Sequence, residues 1–291
     1  MPARKPSPIG AHVPSAGGLA RTALPYARRV GAQALQIFLG SPRGWAATAG
    51  DPAQEASFAD ACARERVLVF VHAPYLINFG SPQPVTLQRS VATLSRVLER
   101  SAAIGAAGVV MHAGSAVDPG SRDAALDQVR ESLLPLLTAL DAAPTRMRLL
   151  IEPTPGGAGT LASSVEDLGP YFEALENHPR LGVCLDTCHA YAAGHDLAAP
   201  GGIRRTLNSL VKTVGRGRLG LVHANDSRDP LGSRRDRHAA IGVGTIGIEP
   251  FAELFVHPAT RSVPVIVETP GGEQQHLIDI RALKRLRDTA R

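Results

Sequence analysis

Aromatic side chains are scarce: Phe, Tyr and Trp make up 4% of the 291 residues. A core must therefore be built from Ala, Val, Leu and Ile within the 44% hydrophobic fraction. Cysteines number three, Cys62, Cys184 and Cys188. So low and odd a count argues against a disulfide framework and makes a reducing, cytoplasmic setting the expectation. No stretch approaches 18 consecutive apolar residues, so none qualifies as a membrane span. The N-terminal stretch carries basic residues but no apolar segment of signal-peptide length. No GxGxxG turn follows the first apolar run, which removes the main signature of a dinucleotide-binding sheet. Linkers, low-complexity tracts and short repeats are missing too. Residues 1–291 therefore read as one domain, with a core of about 8–285.

What is present is alternation. Eight short apolar runs recur: IGAHV (9–13), ALQIFL (34–39), VLVFVHA (67–73), GVVMHA (108–113), RLLIEP (148–153), LGVCLD (181–186), LGLVHAN (219–225) and VPVIVET (263–269). Each is too short for a helix and rich in Val, Ile and Leu, as strands covered on both faces are. Between them lie stretches such as SVATLSRVLERSAAIGA (90–106) and DAALDQVRESLLPLLTAL (123–140), with apolar residues at helical spacing. Eight strand–helix units predict a parallel (β/α)8 barrel of the TIM type. An open doubly wound sheet is the alternative. Pro- and Gly-rich pieces at 41–44, 152–159, 198–202 and 269–272 read as loops. The connection from Asn225 to Val263 is long for a compact domain, and long loops are often functional.

Six successive strand ends carry an acid or an imidazole: His72, His112, Glu152, Asp186, His223 and Glu268. In a parallel barrel these ends share one face, the face where active sites are built. One histidine at a strand end is commonly a hydrogen-bonded core residue; six such ends in a row are not explained that way. Carboxylates packed together repel and take up protons unless a cation joins them. Mixed carboxylate and imidazole donors suit zinc, and also manganese or iron. His189 lies three residues past Asp186, in what reads as the loop after strand six. Asp236 and His238 alternate in the long loop, so both can face one ion. That is enough for three metals with about three ligands each.

Other candidates read as supporting groups. Cys184 shares a strand face with Asp186 but lies deeper, and the CxxxC spacing to Cys188 fits neither zinc nor redox sites, so both cysteines read as packing. His178, His257 and His276 read as solvated, His195 as a rim residue, and His12 as an outer partner of the site. The mild net charge of +5 leans toward anionic partners.

These residues carry a resemblance. IGAHVPSAGGL (9–19), HAPYLINFGSP (72–82), MHAGS (111–115), IEPTPG (151–156), GVCLDTCHAYAAGHDL (182–197), VHANDS (222–227), GSRRDRHAAIGVGTIG (232–247) and VIVETP (265–270) resemble, in order, the endonuclease IV family of apurinic/apyrimidinic endonucleases. The resemblance implies a TIM barrel with three Zn2+ ions, with Mn2+ or Fe2+ possible in some sites. His72, His112 and Glu152 would hold one ion. Glu152 would bridge to a second, held also by Asp186, His223 and Glu268. His189, Asp236 and His238 would hold the third. It implies that Arg43, Tyr75 and Leu76 enter DNA at the lesion, where a missing base makes flipping less costly. The reaction implied is attack by a metal-held hydroxide on the phosphodiester 5′ to an abasic site, leaving a 3′-hydroxyl and a 5′-deoxyribose phosphate, with trimming of blocked 3′ ends. Arg228, Arg234, Arg235 and Arg237, with Arg43, would suit backbone phosphates. A monomer is expected, because duplex DNA must reach the open barrel face. The chain departs from the family at Ala113, Pro153 and Val243, where Pro, Asn and Glu occur; none is a ligand position. Two rivals remain: a single-metal sugar isomerase or epimerase on the same barrel, and a non-catalytic DNA-lesion binding protein.

Overall fold

Side chains alternate along a strand, so each strand gives one set of residues to the barrel interior and one to the helices outside. In the computed structural model, which describes residues 6–46, 48–157 and 159–290, eight parallel strands follow that rule. They are β1 (Ile9–His12), β2 (Ala34–Ile37), β3 (Leu68–His72), β4 (Gly108–His112), β5 (Arg148–Glu152), β6 (Leu181–Asp186), β7 (Leu219–His223) and β8 (Val265–Val267). Each pairs with its sequence neighbour, and β8 closes on β1. This is the TIM barrel that the alternating pattern predicts, with strands slightly shorter than the apolar runs. Ala158, inside the loop read at 152–159, and residues 1–5 of the N-terminal stretch lie outside the described residues.

The inward set forms two layers. The lower is an apolar plug of Ala34, Phe70, Val110, Leu150, Cys184, Leu221 and Ile266, all buried. On β1 the matching position is Gly10, paired with Ala34 and Ile266. No side chain fits there: a Cβ would lie 1.5 Å from the Ala34 carbonyl oxygen. Two residues further along each strand comes the upper layer: His12, Gln36, His72, His112, Glu152, Asp186, His223 and Glu268. Strand register sets some of these side by side: His12 beside Gln36, His112 beside Glu152, and Asp186 beside His223.

The outward set, including Leu35, Val71, Val109, Ile151, Val183 and Val265, packs under the helices. These are α1 (Leu24–Arg29), α2 (Pro52–Glu65), α3 (Pro84–Ala103), α4 (Arg122–Ala142), α5 (Leu168–Ala174), α6 (Thr187–Ala193), α7 (Gly202–Val214), α8 (Glu253–Val256) and α9 (Gly272–Thr289). Local chemistry starts and stops them. Asp51 caps α2 by accepting from the Gln54 N–H at 3.1 Å, and Pro52 fills the first helical position. At its other end Arg66 takes the left-handed conformation (φ 57°). Among the described residues no helix is long and apolar enough to cross a membrane.

Leu150 sits at the middle of the plug, and its methyl groups fill the space that Gly108, Gly182 and Gly220 leave open. Leu150→Ala should therefore lower unfolding free energy by about 2–5 kcal/mol in urea titrations, as large core truncations do. A loss under about 1 kcal/mol would show that the plug is not packed as described.

Candidate metal centre

Glu152 is the hub of the polar layer. It ends β5, is 1% exposed, and has imidazoles on both oxygens. His223 Nδ1 lies 3.0 Å and His189 Nδ1 3.4 Å from Oε1. His72 Nε2 lies 3.2 Å and His112 Nε2 3.5 Å from Oε2. Burial alone would raise its pKa, but the nearby imidazoles, His223 foremost, outweigh burial and hold it well below the usual carboxylate range.

Asp186 ends β6 and also caps α6. Its Oδ1 accepts the His189 N–H at 3.0 Å, while Oδ2 accepts from Asn225 Nδ2 at 2.7 Å. This corrects the reading of His189 as a loop residue: it lies in the first turn of α6. A capping Asp, the helix-favouring run that follows and Gly194 at φ 117° start and stop this helix. Glu268 follows β8. Its Oε1 accepts from Gln36 Nε2 at 2.7 Å and lies 2.8 Å from His12 Nδ1; its Oε2 lies 3.2 Å from His223 Nδ1.

Three of the imidazoles share one plan. His72 Nδ1–H donates to the Ala73 carbonyl at 2.7 Å, His189 Nδ1–H to the Pro153 carbonyl at 3.1 Å, and His238 Nδ1–H to the Glu268 carbonyl at 3.3 Å. Each therefore turns Nε2 inward. His189 Nε2 and His238 Nε2 stand 3.2 and 3.0 Å from Asp236 Oδ1, close enough for a hydrogen bond but out of line for a good one. Lone pairs crowded against a carboxylate oxygen repel unless a proton or a cation joins them. Without a cation the proton must serve. Burial opposes it, but the Asp186 and Asp236 carboxylates prevail and raise His189 to about 10 and His238 to about 9. His112, held mainly by burial, falls to about 4. An imidazole that spends one nitrogen on a carbonyl and turns the other inward is the usual arrangement of a metal-binding histidine. The donor set thus fits divalent cations.

Three groupings of these residues bring their donor atoms within 4.8 Å of one another: His72, His112 and Glu152; Glu152, Asp186, His223 and Glu268; and His189, Asp236 and His238. Cys184 and Cys188 come equally near, Cys184 with Glu152 and His223, Cys188 with Asp186 and His238. Burial pushes both thiols up, Cys184 to about 12, which keeps them neutral at pH 7.

Asp236 and His238 are placed by the long β7–β8 connection. Asp226–Ser227 pairs antiparallel with His238–Ala239. The buried Asp226 carboxylate then accepts the backbone N–H groups of Ser227, Gly242, Gly244, Ile246 and Gly247 at 2.8–3.3 Å. Gly244 passes so close that a Cβ would lie 2.3 Å from the Ser227 carbonyl oxygen.

Tyr75 covers the site edge. Its ring stacks on His112 (centroids 5.2 Å apart, 27°) and meets His72 edge-on, yet the residue stays 44% exposed. Its N–H donates to the Pro42 carbonyl, tying its loop to the one that carries the exposed Arg43. Leu76 is half-buried. Arg228, Arg234 and Arg235 are exposed, whereas Arg237 makes a two-point pair with Asp229. His12 reaches Glu268, as an outer partner would. His195 is half-buried near Glu166, and His178 is half-buried.

Two histidines differ from expectation. His257 and His276 are buried rather than solvated. His257 Nε2–H donates to Asn208 Oδ1 at 3.1 Å, and His276 Nε2–H donates to the Thr269 carbonyl at 2.9 Å. His276 Nδ1 also lies 3.0 Å from the Tyr26 hydroxyl, so both bridge segments distant in sequence, which one residue and its neighbours do not reveal. Sequence reasoning also passed over Gln36, Asn225 and Asp226. Asn225 and Asp226 lie inside the VHANDS motif, and Gln36 stands two residues past the plug residue of its strand; that spacing is the signal that marks it.

A family model described as the xylose isomerase-like TIM barrel matches residues 24–286. A protein of Streptomyces coelicolor described as probable endonuclease 4 is 55% identical over 284 residues, 97% of this chain and 96% of its own. Another probable endonuclease 4, from Chloroflexus aurantiacus, is 37% identical over 91% of this chain and 92% of its own. The crystal structure of endonuclease IV from Thermus thermophilus superposes with a TM-score of 0.82 at 34% identity, covering 97% of this chain and all of that one. A D-tagatose 3-epimerase-like protein shares the fold at a TM-score of 0.72 but only 18% identity. With this barrel, these groupings and this degree of identity, the chain belongs to the endonuclease IV family, within the xylose isomerase-like TIM barrels.

Proposed function

We propose that this protein is a metal-dependent DNA-repair endonuclease, acting alone as a single-domain monomer. It hydrolyses the phosphodiester 5′ to an abasic site in double-stranded DNA, leaving a 3′-hydroxyl and a 5′-deoxyribose phosphate, and it trims blocked 3′ ends. The observation that carries this reading is the turning of His72, His189 and His238 toward shared carboxylates, each with Nδ1 spent on a backbone carbonyl. The identity to endonuclease 4 relatives supports the choice of reaction.

In this reading His72, His112 and Glu152 hold one zinc ion. Glu152, Asp186, His223 and Glu268 hold a second, and His189, Asp236 and His238 a third; Mn2+ or Fe2+ can replace zinc in some sites. Bound divalent ions supply Lewis-acid charge to phosphate oxygens and make water a nucleophile near neutral pH. The protein's own groups do the rest. Glu152 stays ionised, with one oxygen facing His72 and His112 and the other facing His223, so it would serve both groupings as a ligand rather than shuttle protons. Asn225 fixes Asp186 through its amide and accepts the Glu268 N–H at 2.8 Å, which ties two strand ends. Tyr75 and Leu76 fill the gap left by the missing base, and Arg43, Arg228 and Arg234 meet the phosphate backbone. Arg237 is already paired with Asp229 and orders the loop. Pro153, where the resemblance implies Asn, keeps the site intact because it contributes its backbone carbonyl to His189. Ala113 is buried, and Val243, 77% exposed, stands on the loop that would face DNA.

The sugar isomerase reading needs one metal and leaves the grouping of His189, Asp236 and His238 without a task. Metal analysis separates the two: about three ions per chain fit the nuclease, about one the isomerase. An oligonucleotide with one abasic site should be cut on its 5′ side by metal-loaded protein, and not by protein that EDTA has stripped. Intact DNA after incubation with loaded protein would sink the proposal. Glu152→Gln should reduce kcat by roughly a hundredfold or more, because it removes the negative charge shared by two groupings. Tyr75→Ala should weaken binding of abasic duplex by about 1–3 kcal/mol in equilibrium titrations and leave undamaged duplex unaffected. Equal losses on both duplexes would remove Tyr75 from lesion recognition.

A further inference from the structure

Seven of the eight residues in the upper barrel layer are acids or imidazoles; Gln36 is the exception. It brings no charge to a cation and is fully buried. Its amide nonetheless joins three members of the layer. Nε2 donates to Glu268 Oε1 at 2.7 Å and lies 3.0 Å from His12 Nδ1. Oε1 lies 2.9 Å from His223 Nε2.

The amide can point in only one sense. Reversed, its oxygen would face the Glu268 oxygen with no hydrogen between them. In the observed sense Oε1 can only accept, so His223 Nε2 must carry hydrogen. The other nitrogen, Nδ1, is then the one left for a cation; without one it hydrogen-bonds Glu152. It faces Glu152 Oε1 at 3.0 Å and Glu268 Oε2 at 3.2 Å. His72, His189 and His238 have their orientation set by backbone carbonyls and turn Nε2 inward. His223 turns Nδ1 inward instead, and a side chain does the work that a carbonyl does elsewhere.

We propose that Gln36 is a positioning residue that fixes the tautomer of His223 and the orientation of Glu268, and thereby sets the donor atoms of the grouping of Glu152, Asp186, His223 and Glu268. This role rests on the metal reading above. A hydrocarbon side chain at position 36 would leave the His223 N–H and a Glu268 oxygen unpaired in a buried layer. A carboxylate there would add a fourth acid to three.

The test uses zinc-loaded full-length protein, wild type and Gln36→Met, which keeps side-chain length and removes the hydrogen bonds of the amide. Three quantities are read: zinc retention against a competing chelator, the spectrum of 15N-labelled histidine, and kcat and KM on abasic DNA. The wild-type spectrum should show His223 protonated at Nε2. Gln36→Met should surrender zinc about ten- to a hundredfold more readily. It should lose the slowly exchanging His223 N–H signal and lower kcat with little change in KM. The metal-stripped variant should melt a little below the metal-stripped wild type, because two buried groups lose their partner, but by less than the loss in zinc retention. His223 protonated at Nδ1 in loaded wild type would overturn the proposal, and that measurement needs no variant to fold. Equal zinc retention in both proteins would overturn it too, as would a loss of retention matched by an equal loss of stability in the stripped protein. Wild type that binds no zinc would remove the metal reading and this role together, whereas equal retention removes this role alone.

Discussion

The structure turns on an electrostatic conflict in one layer of the barrel. Glu152, Asp186 and Glu268 point inward above a dry plug of Phe70, Val110, Leu150 and Ile266, where water cannot spread their charge. Isolated buried carboxylates would be prohibitively costly. Imidazoles surround them instead, and the conflict is displaced onto those imidazoles. Burial works against His223 holding a proton, yet its environment, including Glu268 and Glu152, raises its pKa well above the ordinary value. The layer is a set of donors brought together in advance, with only protons to compensate its charge until cations enter. The fold tolerates that arrangement because the plug, the outer faces of the strands and the helices are packed independently of it.

Much of this was legible in the sequence, for a specific reason. A strand has a period of two, so a plug residue at Leu150, Cys184 or Leu221 announces that Glu152, Asp186 and His223 share its face. The barrel then brings those ends together whatever their separation along the chain. The same rule pointed at Gln36, but an amide between two hydrophobic residues resembles an ordinary strand residue, and its partners lie on strands far away in sequence. His189 stands near Asp236 and His238, as expected, but in a helix turn rather than a loop, because Asp186 caps that helix. His257 and His276 were misjudged because their burial depends on which loops and helices pack over them, a property that local sequence does not encode.

The β7–β8 connection shows how a Gly-rich segment gains a fixed shape. Five backbone N–H groups converge on the Asp226 carboxylate, so the segment is organised around an anion rather than a hydrophobic contact. The short ribbon next to it fixes the direction of His238, while Asp236 remains half-exposed at the edge. The third grouping is thus assembled from a helix turn and a loop, and the other two from strand ends. Their mechanical settings differ even though the donors are alike.

The capping of α6 by Asp186 has a further consequence. One oxygen holds the helix start, the other faces Asn225 and the interior of the site, and a single carboxyl plane joins them. Rotation of that plane to suit an ion would also tilt the first turn of α6, and with it His189, whose imidazole belongs to a different grouping. The two groupings are therefore joined mechanically: one carboxyl plane spans the start of α6 and the interior of the site.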